Sequence, residues 1–263
     1  MSIVAQTTLA HDVSYNGIGL HAANEVHMVL RPAPADTGIV FIRTDLPGRP
    51  SVQAHLTNVT NTMRATTLEN GEAKVFTVEH LLSALSGMEV DNCFVEMDSV
   101  EPPVADGSSL TFVKLIEEAG IRDLDAPRRL LAVQKQHLVQ EDDKFIAIVP
   151  YDGFRITFTS INPHPMLGVQ FLDTTITKES YVRDISFART IAFTEELEML
   201  KKLASAKGAP SKTSSSTIRR RACPFPAVTT NWSVIRSSIS SATCPCSAVL
   251  SGGTSSPSNR AIN

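Results

Sequence analysis

Residues 77–92 read TVEHLLSALSGMEVDN, and the hydrophobic period changes inside them. Val78, Leu81, Leu82 and Leu85 share one face at helical spacing, so residues 77–88 predict a helix. Thr77 is its expected N-cap, and Glu79 suits the positive end of the helix dipole. The run VDNCFVEMD (90–98) that follows is strand-like. Helix and strand in immediate succession, each with one apolar face, indicate an α+β fold of sheet layered on helix.

Upstream, residues 24–44 (NEVHMVLRPAPADTGIVFIRT) alternate at Val26, Met28 and Leu30, turn at a Pro/Asp/Gly cluster and resume a β-rich run. They predict a hairpin or two neighbouring strands. Downstream, after SVEPPVADGSS (99–109), Leu110, Phe112, Val113 and Ile116 mark a second helix that stops near Gly120. Residues 122–129 read as a polar linker, after which the β pattern starts again. LLAVQKQHLVQ, KFIAIVPYDG, FRITFTS, GVQFLDTTI (168–176) and DISFA (184–188) are β-type segments. Thr194 is placed to cap a helix, EELEMLKKLASA, with Gly208 just past its end. The expected organisation is a first α+β domain at 1–124, the beginning of a second at 125–208, and a separate tail at 209–263.

The tail differs in composition from everything before it. All 27 acidic residues lie at or before Glu198; residues 1–208 carry 18 Lys or Arg, a balance of −9. Residues 209–263 carry six basic residues and no acid, so the net charge of −3 hides a sharp asymmetry. Of residues 210–263, 20 of 54 are Ser or Thr, without a sustained period of either kind, which is the composition of a disordered polar extension. Yet the tail holds the tryptophan and three of the four cysteines, Cys223, Cys244 and Cys246. Cys93 lies alone in an apolar strand and reads as a buried thiol. The cysteines make no disulfide framework, no stretch has the length of a membrane span, and MSIVAQTTLAHD lacks the regions of a signal peptide. These features predict a cytoplasmic protein without a nucleic-acid footprint.

Among residues able to do chemistry, Glu79 and His80 stand out: a carboxylate and an imidazole about 100° apart at a helix start can both face one cleft. On these two residues alone, the plainer reading is a satisfied histidine and a first-turn glutamate. His21 follows a glycine-rich turn, but without a phosphate-binding pattern around it. His11, His27, His55, His137 and His164 have no close metal spacing. Asp106-Gly107-Ser108 reads as a turn and helix cap, and Thr190 lies where a strand gives way to a helix, able to donate its hydroxyl to an oxyanion or to local backbone. No HExxH pair exists, which argues against a general metalloprotease.

Taken together, YNGIGLH (15–21), NTMRATTL (61–68), TVEHLLSALSGMEVDN (77–92), EPPVADGSS (101–109) and ISFARTIAF (185–193) resemble the UDP-3-O-acyl-N-acetylglucosamine deacetylases. These are zinc amidases of lipid A synthesis, and the resemblance covers residues 2–208. It implies two similar domains with the active site between them, a small insert in each, and an acyl-chain passage to which residues 166–177 contribute. It makes His80 a ligand of Zn2+, Glu79 the general base and Thr190 the hydroxyl that steadies the tetrahedral oxyanion, while His21 has no assigned role. The implied partner is a small nucleotide-sugar lipid substrate, taken up by a monomer that touches the inner membrane only peripherally.

The resemblance also shows what is missing. The family's second histidine and an aspartate come from a helix reading HKxxDxxGD, and a later KSGH supplies another histidine. Neither string occurs here, and no His follows His164. With permitted codons read one base earlier, NWSVIRSSISSATCPC (231–246) becomes ELVRHKILDLIGDLSL. In the same frame GTSSPSNRAI becomes HIIAIKSGH and PSKTSSST becomes LENVIVY. The expectation is that residues from about 209 onward are a frameshifted translation, leaving the second domain incomplete and the literal chain inactive or severely impaired. The alternatives are an inactive relative that binds lipid or nucleotide sugar in a regulatory role, and a metal site rebuilt from His80 with Cys223, Cys244 and Cys246.

Overall fold

The computed structural model describes residues 4–22, 24–63, 65–161 and 168–189, together with the backbone of 246–253. The chain opens with β1 (Ala5–Leu9), β2 (Val13–Ile18), β3 (Glu25–Pro32), β4 (Ile39–Arg43) and β5 (Ser51–Gln53). Three short strands follow, β6 (Val59–Asn61), β7 (Thr67–Asn70) and β8 (Ala73–Phe76), forming a small sheet of their own. Then come α1 (Glu79–Gly87), β9 (Cys93–Met97), α2 (Leu110–Ala119) and β10 (Ile121–Pro127). The remainder is β11 (His137–Glu141), β12 (Lys144–Pro150), β13 (Phe154–Ile161), β14 (Val169–Thr175), α3 (Lys178–Asp184) and β15 (Cys246–Gly253). The result is a mixed arrangement of several sheets and helices, as the α+β reading expected.

The first large sheet runs β2-β3-β9-β4-β5. It buries Val26, Met28 and Leu30 on β3, the alternating set read from sequence, together with Ile39 and Phe41 on β4 and Cys93, Val95 and Met97 on β9. Helix α1 buries Leu81, Leu82, Ala84 and Leu85, and α2 buries Phe112, Val113, Leu115 and Ile116, all in the same cluster. Gly120, with φ of 68°, ends α2 where its sequence position predicted. Burial at Cys93 pushes its thiol up to about 12, so it is an inert core residue.

Residues 24–44 do form two strands, but β3 and β4 are not neighbours. Strand β9 lies between them, antiparallel to β3 and parallel to β4. The connection is held away from a hairpin by distant partners: Ala33 N–H donates to Thr8 Oγ1 at 2.8 Å and Gly38 N–H to Asn92 Oδ1 at 2.9 Å.

The second large sheet runs β11-β12-β15-β13-β14. Its neighbours are antiparallel, antiparallel, parallel and antiparallel in turn, the same succession as in the first sheet. Strand β15 therefore holds the slot that β9 holds in the first. It comes from the tail whose composition reads as an extension, and its backbone pairs on both sides. A ladder uses main-chain groups that every residue carries, so a segment without a hydrophobic period can still complete it. Val169–Thr175 is this sheet's edge strand. Ile156 and Phe158 on β13 form a smaller core with Phe154, Leu172 and Ile176 packed against them.

Two further expectations are corrected. Residues 122–129 are no linker, because β10 pairs antiparallel with β1 and spans the expected boundary at 124. Arg128 then reaches Asp91 at 2.8 Å, with its side chain only 6% exposed. The acidic, half-exposed side chains of β10 hid a pairing made through backbone. Residues 184–188 are no strand: α3 ends at Asp184 and a turn occupies 185–187. Its signal was a capping box, in which Thr177 Oγ1 accepts the Ser180 N–H and Ser180 Oγ accepts the Thr177 N–H. Helix α3 joins the first core through Tyr181 and Ile185. The expected helix at 195–206, Thr190 and the tail cysteines Cys223 and Cys244 lie outside the described residues.

Candidate active site at the start of helix α1

Glu79 and His80 open α1, both half-buried. The N-cap is Val78, already in helical conformation (φ −82°, ψ −10°), and it makes no side-chain cap bond. Thr77, the expected cap, instead adopts φ of 57°, a left-handed conformation that a β-branched residue avoids. A capping side chain needs extended backbone at its own position. Thr77 lacks it, and its buried hydroxyl has no hydrogen-bond partner.

Two of the segments singled out in the sequence are hydrogen-bonded to this helix start. The Glu79 carboxylate accepts the backbone N–H of Thr66 at 3.2 Å, tying NTMRATTL to it. Ser109 Oγ donates to the His80 carbonyl at 3.0 Å, fastening the beginning of α2. The His21 ring lies 6.3 Å from that of Phe76, tilted by 52°. Phe76 N–H donates to the Val100 carbonyl, so the strand entering α1 runs beside the EPPV segment.

Glu101 organises the glycine-rich turn. It is fully buried, and its Oε2 accepts the N–H groups of His21 and Ala22, each at 2.9 Å. A Cβ on Gly19 would lie 2.8 Å from that oxygen, so only glycine admits the carboxylate here. Sequence inspection passed over Glu101; its signal was a carboxylate directly before two prolines, inside a segment otherwise readable as a loop.

Asp106 ties the segment before α2 to Arg189, which follows α3. Arg189 donates to its carboxylate at 2.8 Å and to its carbonyl at 3.0 Å. Ser108 donates to the same carboxylate through both Oγ, at 2.6 Å, and N–H, at 3.1 Å. Burial opposes ionisation of Asp106, but the hydrogen bonds from Ser108 and Arg189 outweigh it and hold its carboxyl below the usual value. The Asp-Gly-Ser turn is therefore present as read, and Ser108 Oγ accepts the Leu110 N–H at the head of α2. Arg189 was also missed; Thr190 follows it directly but lies outside the described residues.

A catalytic zinc site takes three protein ligands and leaves a position for water. Among the described residues no three His, Cys, Asp or Glu side chains are grouped to hold a metal ion. His55 pairs with Thr57, His27 with Asn16, and His137 is exposed on β11. The described residues thus do not by themselves assemble a zinc centre. Among the same residues no helix is long and apolar enough to cross a membrane.

Comparison with known proteins gives a consistent answer. A family model described as LpxC: UDP-3-O-acyl N-acetylglycosamine deacetylase matches residues 6–218. A UDP-3-O-acyl-N-acetylglucosamine deacetylase from Hahella chejuensis is 40% identical over 208 residues, covering 78% of this chain and 69% of the relative. One from Thioalkalivibrio sulfidiphilus is 42% identical over 201 residues, covering 76% and 66% respectively. One from Bdellovibrio bacteriovorus is 40% identical over 203 residues, covering 77% and 67%.

Proposed function

The chain belongs to the UDP-3-O-acyl-N-acetylglucosamine deacetylase family, and from that premise we propose its chemistry and its present state. The family reaction is hydrolysis of the N-acetyl group of UDP-3-O-(3-hydroxyacyl)-N-acetylglucosamine, a step of lipid A biosynthesis that depends on zinc and takes place in the cytoplasm. One observation carries the assignment of roles: Glu79 and His80 share the first turn of α1, and two other family segments are hydrogen-bonded to them through Thr66 and Ser109. Glu79, held by the Thr66 amide, is the carboxylate that accepts a proton from the attacking water. His80 is the ligand this half contributes to the metal, and Thr190 the donor to the oxyanion. The shared strand order of the two large sheets supports two similar domains.

The literal chain is inactive or severely impaired. Supporting this, no His follows His164 and no acid follows Glu198, so the residues beyond cannot supply the family's remaining histidine and aspartate ligands. The family match runs only to residue 218, shortly past the change in composition. A frameshift near codon 209 accounts for both, and the nucleotide sequence around codons 205–212 tests it. A neighbouring frame without coding for the zinc helix would sink that explanation. On purified chain, metal analysis is expected to find far less than one zinc per molecule, and acetate release to be negligible. Full zinc occupancy with turnover like that of the relatives would show an intact enzyme instead.

A second reading draws on the same observations: an intact first half beside an incomplete donor set also suits a catalytically silent binding protein. Tight binding of the nucleotide-sugar lipid without acetate release, from a gene with a clean frame, would favour it.

A further inference from the structure

Three buried side-chain hydroxyls among the described residues have no hydrogen-bond partner: those of Thr66, Thr77 and Ser99. The residues are 2%, 8% and 5% exposed. All three adjoin the chain that enters α1. Thr77 belongs to it. Thr66 lies across from Thr77, one step beyond the Thr67–Phe76 pair that ends the β7–β8 ladder. Ser99 precedes Val100, whose carbonyl accepts the Phe76 N–H at 3.0 Å.

Chance would scatter orphaned hydroxyls over the core; here they gather about one strand-to-helix junction. Buried polar groups that find no protein partner are ordinarily satisfied by ordered water, which needs two to four polar neighbours. Hydroxyls both donate and accept, so three of them suit a neutral molecule of that size better than an anion, which the neighbouring Glu79 carboxylate would repel. The left-handed backbone at Thr77 fits the same picture. It forgoes the cap bond that an extended threonine would make.

We propose that Thr66, Thr77 and Ser99 form a buried water site under the start of α1, and that this water steadies the Glu79 carboxylate where it meets the Thr66 amide. Thr66 and Thr77 are then positioning residues. Their importance for catalysis rests on the assignment of Glu79 as base, whereas the water site does not.

Crystal structures of the full chain and of Thr77→Val and Thr77→Ser, at a resolution that shows ordered water, test this directly. In the parent and in Thr77→Ser, a water is expected within about 2.5–3.2 Å of the residue 77 hydroxyl and of a second hydroxyl of the set. In Thr77→Val, which keeps the branched shape, the water is lost and the Glu79 carboxylate leaves the Thr66 amide. If Thr77→Val does not fold, Thr66→Val removes the opposite wall with the same expected outcome. Water-to-amide cross-relaxation at Thr66 and Thr77 supplies a solution readout. No water in the parent, metal-like density at about 2.0–2.4 Å, or an unmoved Glu79 in Thr77→Val would overturn the proposal. Acetate release has no part in this test, so an absent water leaves the proposed function standing, and absent turnover leaves the water site standing.

Discussion

The Glu101 carboxylate, wholly removed from solvent, grips the backbone N–H of His21 at 2.9 Å across 80 residues of sequence. With the matching bond to Ala22, it makes the glycine-rich turn and the double-proline segment one unit. Replacing Glu101 with Ala strips both donors of their acceptor. Stability is expected to fall by about 1–3 kcal/mol, the range for leaving such groups unsatisfied. Amide exchange at His21 and Ala22 is expected to accelerate ahead of global unfolding. Unchanged exchange at both amides would show that the carboxylate does not hold the turn.

Tyr181 of α3 packs directly on Gly87 at the end of α1, and its hydroxyl pairs with Ser83 Oγ. A methyl group on Gly87 would overlap the aromatic ring. Alanine normally favours a helix over glycine by about 1 kcal/mol, so the sign of Gly87→Ala decides which effect wins. The ring is buried and tied at its far end, and overpacking is expected to destabilise by a net ~1–3 kcal/mol in urea unfolding. A more stable variant would mean that α3 does not dock there.

The Asp106–Arg189 pair gives a pH-dependent contribution. The Asp106 carboxyl lies below the usual 3.8, since hydrogen bonds from Ser108 and Arg189 outweigh the burial that opposes ionisation. A carboxyl depressed in the folded state adds stability that is fully present above its unfolded value and is lost as pH falls through the folded one. Asp106→Asn is therefore expected to be less stable than the parent at neutral pH, with the gap closing in acid. Both side chains are partly exposed, so the difference is below about 1 kcal/mol. A gap that widens as pH falls would contradict this sign.

Activity is expected to return when residues from 209 onward are replaced by the corresponding stretch of the Hahella chejuensis relative. Such a chain is expected to hold about one zinc, the number a mononuclear catalytic site takes. Within it, Glu79→Gln is expected to lower kcat by about 10²–10⁴-fold, the usual contribution of a positioned base. Thr190→Ala is expected to raise the barrier by about 3–4 kcal/mol if its hydroxyl serves the oxyanion. A replacement chain that binds zinc and turns over equally well with the Glu79→Gln substitution would remove Glu79 from the mechanism.

Local pattern was enough for α1, α2 and the apolar face of β3, because side-chain period reports which face meets the core. It also marked Glu79 and His80, where residue type and helix position coincide. It failed at β10 and at α3. The first is held by backbone pairing with β1, and the second is a seven-residue helix too short to show a period.

Strand order lay beyond any such pattern. Residues 24–44 contain both β3 and β4, but only the later arrival of β9 decides that they flank it. Glu101 and Arg189 became visible in the same way, because their partners lie some 80 residues away and their neighbours in sequence carry no trace of them. Period and residue type belong to the chain itself and therefore disclosed the family, the mixture of sheets and helices, and the position of Glu79 and His80 at the head of a helix. Long-range pairing is made by main-chain groups that every residue shares and by single charged side chains, so which strand lies beside which, and what holds the turn at His21, were settled only when the chain folded.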